Sequence, residues 1–216
     1  MARRTKEEAE LTRQQLLDAA RHAFAERGVS RTSLEHIACA AGVTRGAVYW
    51  HFANKVELFF AMLDQVTIPI LATAEDPNLS PTQADPLLGI TRFLSAVFQR
   101  LDQDEQTRQV FEIISNKCEM VAEFSALLER FQVRLHSLTQ KLTLAYARAA
   151  AMNQLKPGLD PTILALETST FFNGLFKMWL VDQDGTLVRN RIQPLILTHM
   201  ALRARDPQHL DRCLPL

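Results

Sequence analysis

Thr32-Ser-Leu-Glu-His-Ile-Ala-Cys-Ala-Ala-Gly-Val-Thr-Arg-Gly-Ala-Val-Tyr-Trp-His-Phe52 is the stretch around which the rest of the chain is read. Thr32 with Glu35 three residues on makes a capping box, which predicts a helix from Ser33. Leu34, Ile37, Ala38 and Ala41 follow at helical spacing on one face. Gly42 predicts the stop, because a helix commonly leaves through a left-handed residue that glycine adopts at little cost. Thr44 is then an N-cap for a second short helix carrying Arg45, Tyr49, Trp50 and His51. Two short helices joined by a tight glycine turn read as a helix-turn-helix, whose second helix enters a DNA major groove.

An ordinary αα-corner with core-facing aromatics would share that spacing. The local order Gly42-Val-Thr-Arg-Gly-Ala-Val-Tyr-Trp-His-Phe-Ala-Asn-Lys55 separates the two. It resembles the TetR family of bacterial transcriptional repressors, in which such a run forms the turn and the recognition helix. The candidate DNA-binding residues are Thr32, Ser33, Thr44, Arg45, Gly46, Ala47, Tyr49, Trp50, His51 and Lys55. Thr44 as N-cap would leave the amides of Arg45, Gly46 and Ala47 facing a phosphate or the groove. Gly46 would allow close backbone approach, and Lys55 would neutralise a phosphate.

The 216 residues suffice for one large domain or a small one plus a larger one. The 47% hydrophobic and 22% charged content is that of a globular protein. No 18-residue apolar run marks a membrane span, and the N-terminus does not read as a signal peptide, so a cytoplasmic protein is expected. Net charge is +0; residues 1–60 hold 9 Lys+Arg against 7 Asp+Glu, too weak an asymmetry to argue from. DNA binding is therefore read from where the charges sit. Cys39, Cys118 and Cys213 are odd in number and far apart, which predicts neither a disulfide framework nor a zinc ribbon. His209 and Cys213 have a metal-compatible spacing, but two ligands near a chain end make no site. No metal or cofactor is expected.

Taken in order, Arg3, Arg4 and Lys6 form a basic arm. Thr5 with Glu8 opens helix 1, which runs to about Arg27 with Leu16, Leu17, Ala20 and Phe24 buried and Gly28 as the stop. Asn54 with Glu57 opens helix 4, about 55–74, with Pro69 kinking or ending it. Residues 75–86 are a loop by composition. Further helices are expected at about 86–101, 104–118, 122–152, 161–181 and 187–204, with Asp160-Pro161 as N-cap and first helical residue. With no strand alternation, the chain is predicted to be all-α, of about nine helices. Residues 1–54 form the helix-turn-helix domain and 55–216 a ligand-binding and dimerisation domain. Helix 4 is expected to be the only segment touching both.

The helices of the second part are rich in phenylalanine. Phe93 and Val97 on helix 5, Phe111 and Ser115 on helix 6, and Phe172, Asn173 and Phe176 on helix 8 suit either a plain core or a pocket. The polar residues among them favour the pocket, since binding sites are mostly apolar with a few convergent polar groups. Glu112, Leu138 and Leu142 complete the candidate effector residues. Met1-Ala-Arg-Arg-Thr-Lys-Glu-Glu8, Glu112-Ile113 with Lys117-Cys118-Glu119, and Gly174-Leu175 with Trp179-Leu180 resemble the AcrR/TtgR group of the family. That resemblance implies a repressor of a multidrug efflux operon, released from a palindromic operator by lipophilic or antibiotic-like compounds. It also implies a homodimer through helices 8 and 9. In that group an Asn and a His on helix 6 and an Asp on helix 8 hold ligand; Phe111, Ser115 and Asn173 stand there instead. The expected pocket is accordingly less polar.

An enzyme would need a nucleophile with a base, a metal cluster or a phosphate loop, and no such motif is present. A helical adaptor for proteins would account for the apolar faces but not for Arg45-Gly46 beside Tyr49 and His51.

Overall fold

The computed structural model describes residues 6–70, 72, 75–118 and 125–211. Among them are nine helices of seven residues or more: α1 Lys6–Arg27, α2 Leu34–Ala40, α3 Arg45–His51, α4 Lys55–Ile70, α5 Pro86–Gln103, α6 Glu105–Asn116, α7 Ser125–Ala151, α8 Pro161–Val181 and α9 Ile192–Ala201. Short helical turns at Asp76–Asn78 and Gln208–Asp211 and a 3-10 turn at Arg189–Arg191 complete the helical content. No strand occurs among the described residues, only an isolated bridge between Leu155 and Ala204. The all-α expectation holds.

By packing, the chain divides into two compact units. One comprises Met1–Ile68 with Glu105–Ala126, the other Pro69–Asp104 with Leu127–Leu216. This division follows contacts and cuts across the functional division expected at residue 54. Helix α6, expected in the second part, packs on α1.

In the first unit the helical spacing of Leu16, Leu17, Ala20 and Phe24 buries all four, with Ile37, Val48, Phe52, Leu58, Phe59 and Met62. Phe24 meets Phe59 edge-on, ring centroids 6.0 Å apart. Gly28 and Gly42 take φ of 83° and 66°, the left-handed values that stop α1 and α2. The α2 cap differs from the sequence expectation. Ser33, not Thr32, is the N-cap, and its reciprocal partner is His36 rather than Glu35. The reason is burial. Thr32 is 2% exposed, and its hydroxyl donates to the Gly28 carbonyl at 2.8 Å. At α4, Asn54 Oδ1 accepts from the Glu57 amide at 2.9 Å as expected, while the Glu57 carboxylate accepts from Ala53 rather than Asn54. α4 runs through Pro69 and is described as far as Ile70. The Thr5–Glu8 cap, the basic residues Arg3 and Arg4, and Cys213 of the His209–Cys213 pair lie outside the described residues.

In the second unit α5 is buried on nearly all sides. A Cβ at Gly89 would overlap the Asn78 carbonyl oxygen, so glycine admits the preceding loop against the helix. That loop is held by Arg148 donating to the carbonyls of Ser80 and Gln83 and by Lys141 Nζ, 2.7 Å from Glu75. α7 stops where Asn153 turns left-handed, φ 59°. Asp160 caps α8 through the Thr162 amide, with Pro161 at the first position, as expected. α9 packs on α5 and is shorter than the expected 187–204. The Asp182 carboxylate accepts from the amides of Leu187, Val188 and Arg189, which keeps those residues out of the α-helix. At the other end the Leu155–Ala204 pairing draws the chain away after Ala201. Between α7, α8 and α9 lies a buried polar chain: Tyr146 Oη meets Thr168 Oγ1 at 2.7 Å, which meets His199 Nε2 at 3.1 Å.

Candidate nucleic-acid interface and effector residues

Thr44 adopts an extended conformation and its hydroxyl accepts from the Ala47 amide at 3.2 Å, starting α3. The Ala47 amide is thus occupied, and it also lies 3.0 Å from the Thr44 carbonyl. The expectation of three outward amides is corrected on this point: Arg45 and Gly46 remain, both exposed. Gly46 has no left-handed φ, and a Cβ there would meet only Thr44 Oγ1 at 3.9 Å. Glycine at 46 is therefore not demanded by packing inside the protein, and it leaves bare backbone on the outer surface of α3.

One helical turn decides which α3 side chains face outward. Val48 is fully buried and anchors the helix, while Tyr49 is 45% and Trp50 72% exposed. His51 is half-buried, its ring edge-on to Trp50 at 4.5 Å. A depression of about 400 Å³ runs beside α3, lined by Ser30, Arg31, Thr32, Ser33, Leu34, Glu35, Tyr49, Ala53, Asn54 and Lys55. It brings together Ser33, Tyr49 and Lys55 of the expected set. Thr32 contributes to its wall, and its buried hydroxyl serves the turn after α1. Lys55 Nζ donates to the carbonyls of Val29 and Ser30 at 3.1 and 3.4 Å, which fixes its ammonium at the edge of the depression.

Arg31 was not singled out from the sequence, and Glu35 only as a cap partner of Thr32. Arg31 is exposed, its Nε donating to the Arg27 carbonyl at 2.8 Å. Glu35 pairs with Arg45 at 3.1 Å, linking α2 to α3. Hydrogen bonds from its own amide and from Ser33, then the nearby Arg45 charge, hold its carboxyl below the usual range. The spacing of ten residues between Glu35 and Arg45 carries no helical signal, which is why the pair is invisible in sequence.

The effector candidates divide between the units. Phe111, Glu112 and Ser115 stand half-buried on α6 in the first. Phe93, Val97, Leu138, Leu142, Phe172, Asn173 and Phe176 belong to the second. There the structure joins Phe93 to Phe172 at 5.6 Å and Phe172 to Phe176 at 6.0 Å. Phe98, missed in the sequence, completes the cluster at 5.9 Å from Phe172 and 6.4 Å from Phe176. Its signal was present, since Phe93 and Phe98 sit five residues apart on an apolar helix. Val97, Leu138 and Leu142 are buried. Asn173 is exposed, with Nδ2 donating to the Ser169 carbonyl at 2.8 Å.

A three-helix module with a capped, outward-facing α3, joined to a larger all-helical unit, defines a helix-turn-helix DNA-binding regulator. Two family models match the chain: bacterial regulatory proteins, tetR family, over residues 16–62, and the MAATS-type transcriptional repressor C-terminal region over residues 85–202. The chain belongs to the TetR family and is a transcriptional repressor, not an enzyme. It is 38% identical over 209 residues to the HTH-type transcriptional regulator TtgR of Pseudomonas putida, covering 96% of this chain and 98% of that one. Among solved structures it is similar to NalD, the secondary repressor of the MexAB-OprM multidrug efflux pump in Pseudomonas aeruginosa. The TM-score is 0.81 at 35% identity, over 93% of this chain and all of that one. It is also similar to the SmeT–triclosan complex, SmeT being the repressor of a Stenotrophomonas maltophilia multidrug efflux pump. There the TM-score is 0.79 at 30% identity, over 95% of this chain and all of that one.

Proposed function

We propose that this repressor controls a multidrug efflux operon and leaves its operator when a lipophilic, aromatic compound binds. The observation that carries the effector class is the cluster of Phe93, Phe98, Phe172 and Phe176, whose tilted and edge-on rings leave Phe172 and Phe176 only half-buried. Such rings favour offset or edge contacts with a further aromatic group. Val97, Leu138 and Leu142 supply apolar wall and Asn173 a polar contact at its rim, while Phe111, Glu112 and Ser115 remain effector candidates on α6. The efflux role is supported by the similarity to NalD and SmeT.

Residues 1–54 act as the DNA-binding domain and 55–216 as the effector and dimerisation domain, working in the cytoplasm. The dimer forms through α8 and α9. Ile163, Leu166, Met178 and Val181 fall on one face of α8 at the helical period and are each about half exposed or more, as is Leu202 after α9. Leu175 and Trp179 of α8 and Met200 of α9 are buried within the unit.

Isothermal calorimetry with a panel of aromatic antimicrobials, triclosan among them, tests the effector reading. Saturable binding that weakens in F172A supports it. Absence of binding across the panel, with DNA binding unaffected by any member, overturns it.

A further inference from the structure

Arg45 opens the recognition helix and is exposed, yet its guanidinium is held on two sides. Its Nη2 lies 3.1 Å from Glu35 Oε1 on α2 and 3.5 Å from the Tyr49 hydroxyl, and its Cζ stands 5.4 Å from the centroid of the Tyr49 ring. A lone arginine at this place would sweep many rotamers and reach any nearby phosphate. Phosphate contacts add affinity without reading sequence. A carboxylate on the same surface repels phosphate, so Glu35 lowers sequence-independent binding. It also supplies a planar acceptor that orients the guanidinium fork.

We propose that Glu35 is a specificity-determining positioning residue: it holds Arg45 for one base pair and withholds it from the phosphates. The inference rests on the reading of α3 as the element that contacts bases. On a cognate pair Arg45 gains a bidentate base contact. On any other it stays with Glu35 and adds nothing, so discrimination comes from the competing contact as well as the correct one.

The test uses the full chain and a palindromic duplex selected by the wild-type protein from random DNA. Affinities are measured for that duplex, for each single base-pair variant of one half-site, and for unrelated DNA across a salt series. R45A is expected to flatten the preference at one position of the half-site. E35Q is expected to flatten the same position, by about 5-fold or more if Arg45 makes a bidentate contact there. It should also raise affinity for unrelated DNA and steepen its salt dependence, by a log–log slope of about 1 for one added phosphate contact. In the position-resolved preference E35Q/R45A should match R45A. A merely structural role for Glu35 would leave the position-resolved profile unchanged. If R45A flattens one position and E35Q does not, or if their effects add, the proposal is overturned while Arg45 remains a base contact. If R45A flattens no position, the reading of Arg45 is overturned and the role of Glu35 with it.

Discussion

The amide of Val29 donates to the carbonyl oxygen of Lys117 at 3.0 Å, tying the turn after α1 to the residue just beyond α6. Gly28 lies against the same oxygen, where a Cβ would stand 3.4 Å away. Further up the helices, Arg21 hydrogen-bonds the Gln109 side chain. α6, which carries Phe111, Glu112 and Ser115, is thus built into the same unit as the recognition helix. Alongside helix 4, α6 is a candidate route between the two functions.

The α6 connection has a measurable consequence. A ligand weakens DNA binding only through its preference for one of two conformations. R21A, which loosens α1 from α6, is expected to change the effector-induced loss of operator affinity by about 0.5–2 kcal/mol. Operator affinities with and without saturating effector decide it. An identical ratio in wild type and R21A would remove this link from the coupling route. P69A, at the end of α4, serves as the parallel test of that helix.

Thr32 and Tyr49 separate structure from recognition. T32V loses a buried hydroxyl that donates to Gly28, so a stability loss of about 1 kcal/mol is expected with operator affinity unchanged. Y49A removes an exposed ring and should leave stability within about 0.5 kcal/mol while weakening operator binding by about 1–3 kcal/mol. Thermal melts paired with gel shifts distinguish them. Weakened DNA binding at full stability in T32V would keep Thr32 in the contact set.

His199 sets part of the pH dependence. Burial first, then the Arg203 charge, lowers its pKa from 6.5 to about 3. The ring stacks on Phe171 at 3.9 Å and 7° and meets Thr168 through Nε2. Between pH 6.5 and about 3 the unfolded chain therefore holds a proton that the folded one lacks. Stability falls as pH drops through that window and is recovered above it. Melting temperature should decline from pH 7.5 to pH 5, and less so in H199Q. An equal decline in both proteins would exclude His199.

Phe98 tests the aromatic cluster. It is 3% exposed and contacts both Phe172 and Phe176. F98A is expected to cost about 3–5 kcal/mol of stability. F98L, which keeps most of the volume, should cost far less and still weaken effector binding, read by calorimetry. Unchanged effector affinity in F98L would separate the cluster from the binding site.

Local signals were legible where one helix carries the whole of its evidence. The buried stripe from Leu16 to Phe24 follows the helical period, and Asp160-Pro161 marks the start of α8 without reference to any other element. The same holds for Thr44 at α3. What could not be read depends on distant partners. Thr32 and Ser33 are both sound N-caps, and only the burial of Thr32 against Gly28 decides between them. The start of α9 was misplaced because the Asp182 carboxylate reaches forward to three amides at 187–189. At the DNA-facing surface, type and order of residues marked α3, but the Glu35–Arg45 pair and the depression beside it arise from how α2 packs on α3.

Sequence-specific DNA binding released by an aromatic ligand is the central claim, and one gel-shift titration tests it most directly. The full-length protein is titrated onto the intergenic DNA upstream of its own coding sequence, with and without triclosan and related aromatics. A discrete dimer complex is expected on a palindromic site whose half-sites are about one helical turn apart, roughly 34–36 Å, or slightly more. At least one ligand should weaken it about 100-fold, equivalent to about 2.7 kcal/mol of coupling. Binding no tighter than to unrelated DNA at physiological salt, or a specific complex that no aromatic ligand disturbs, would contradict it.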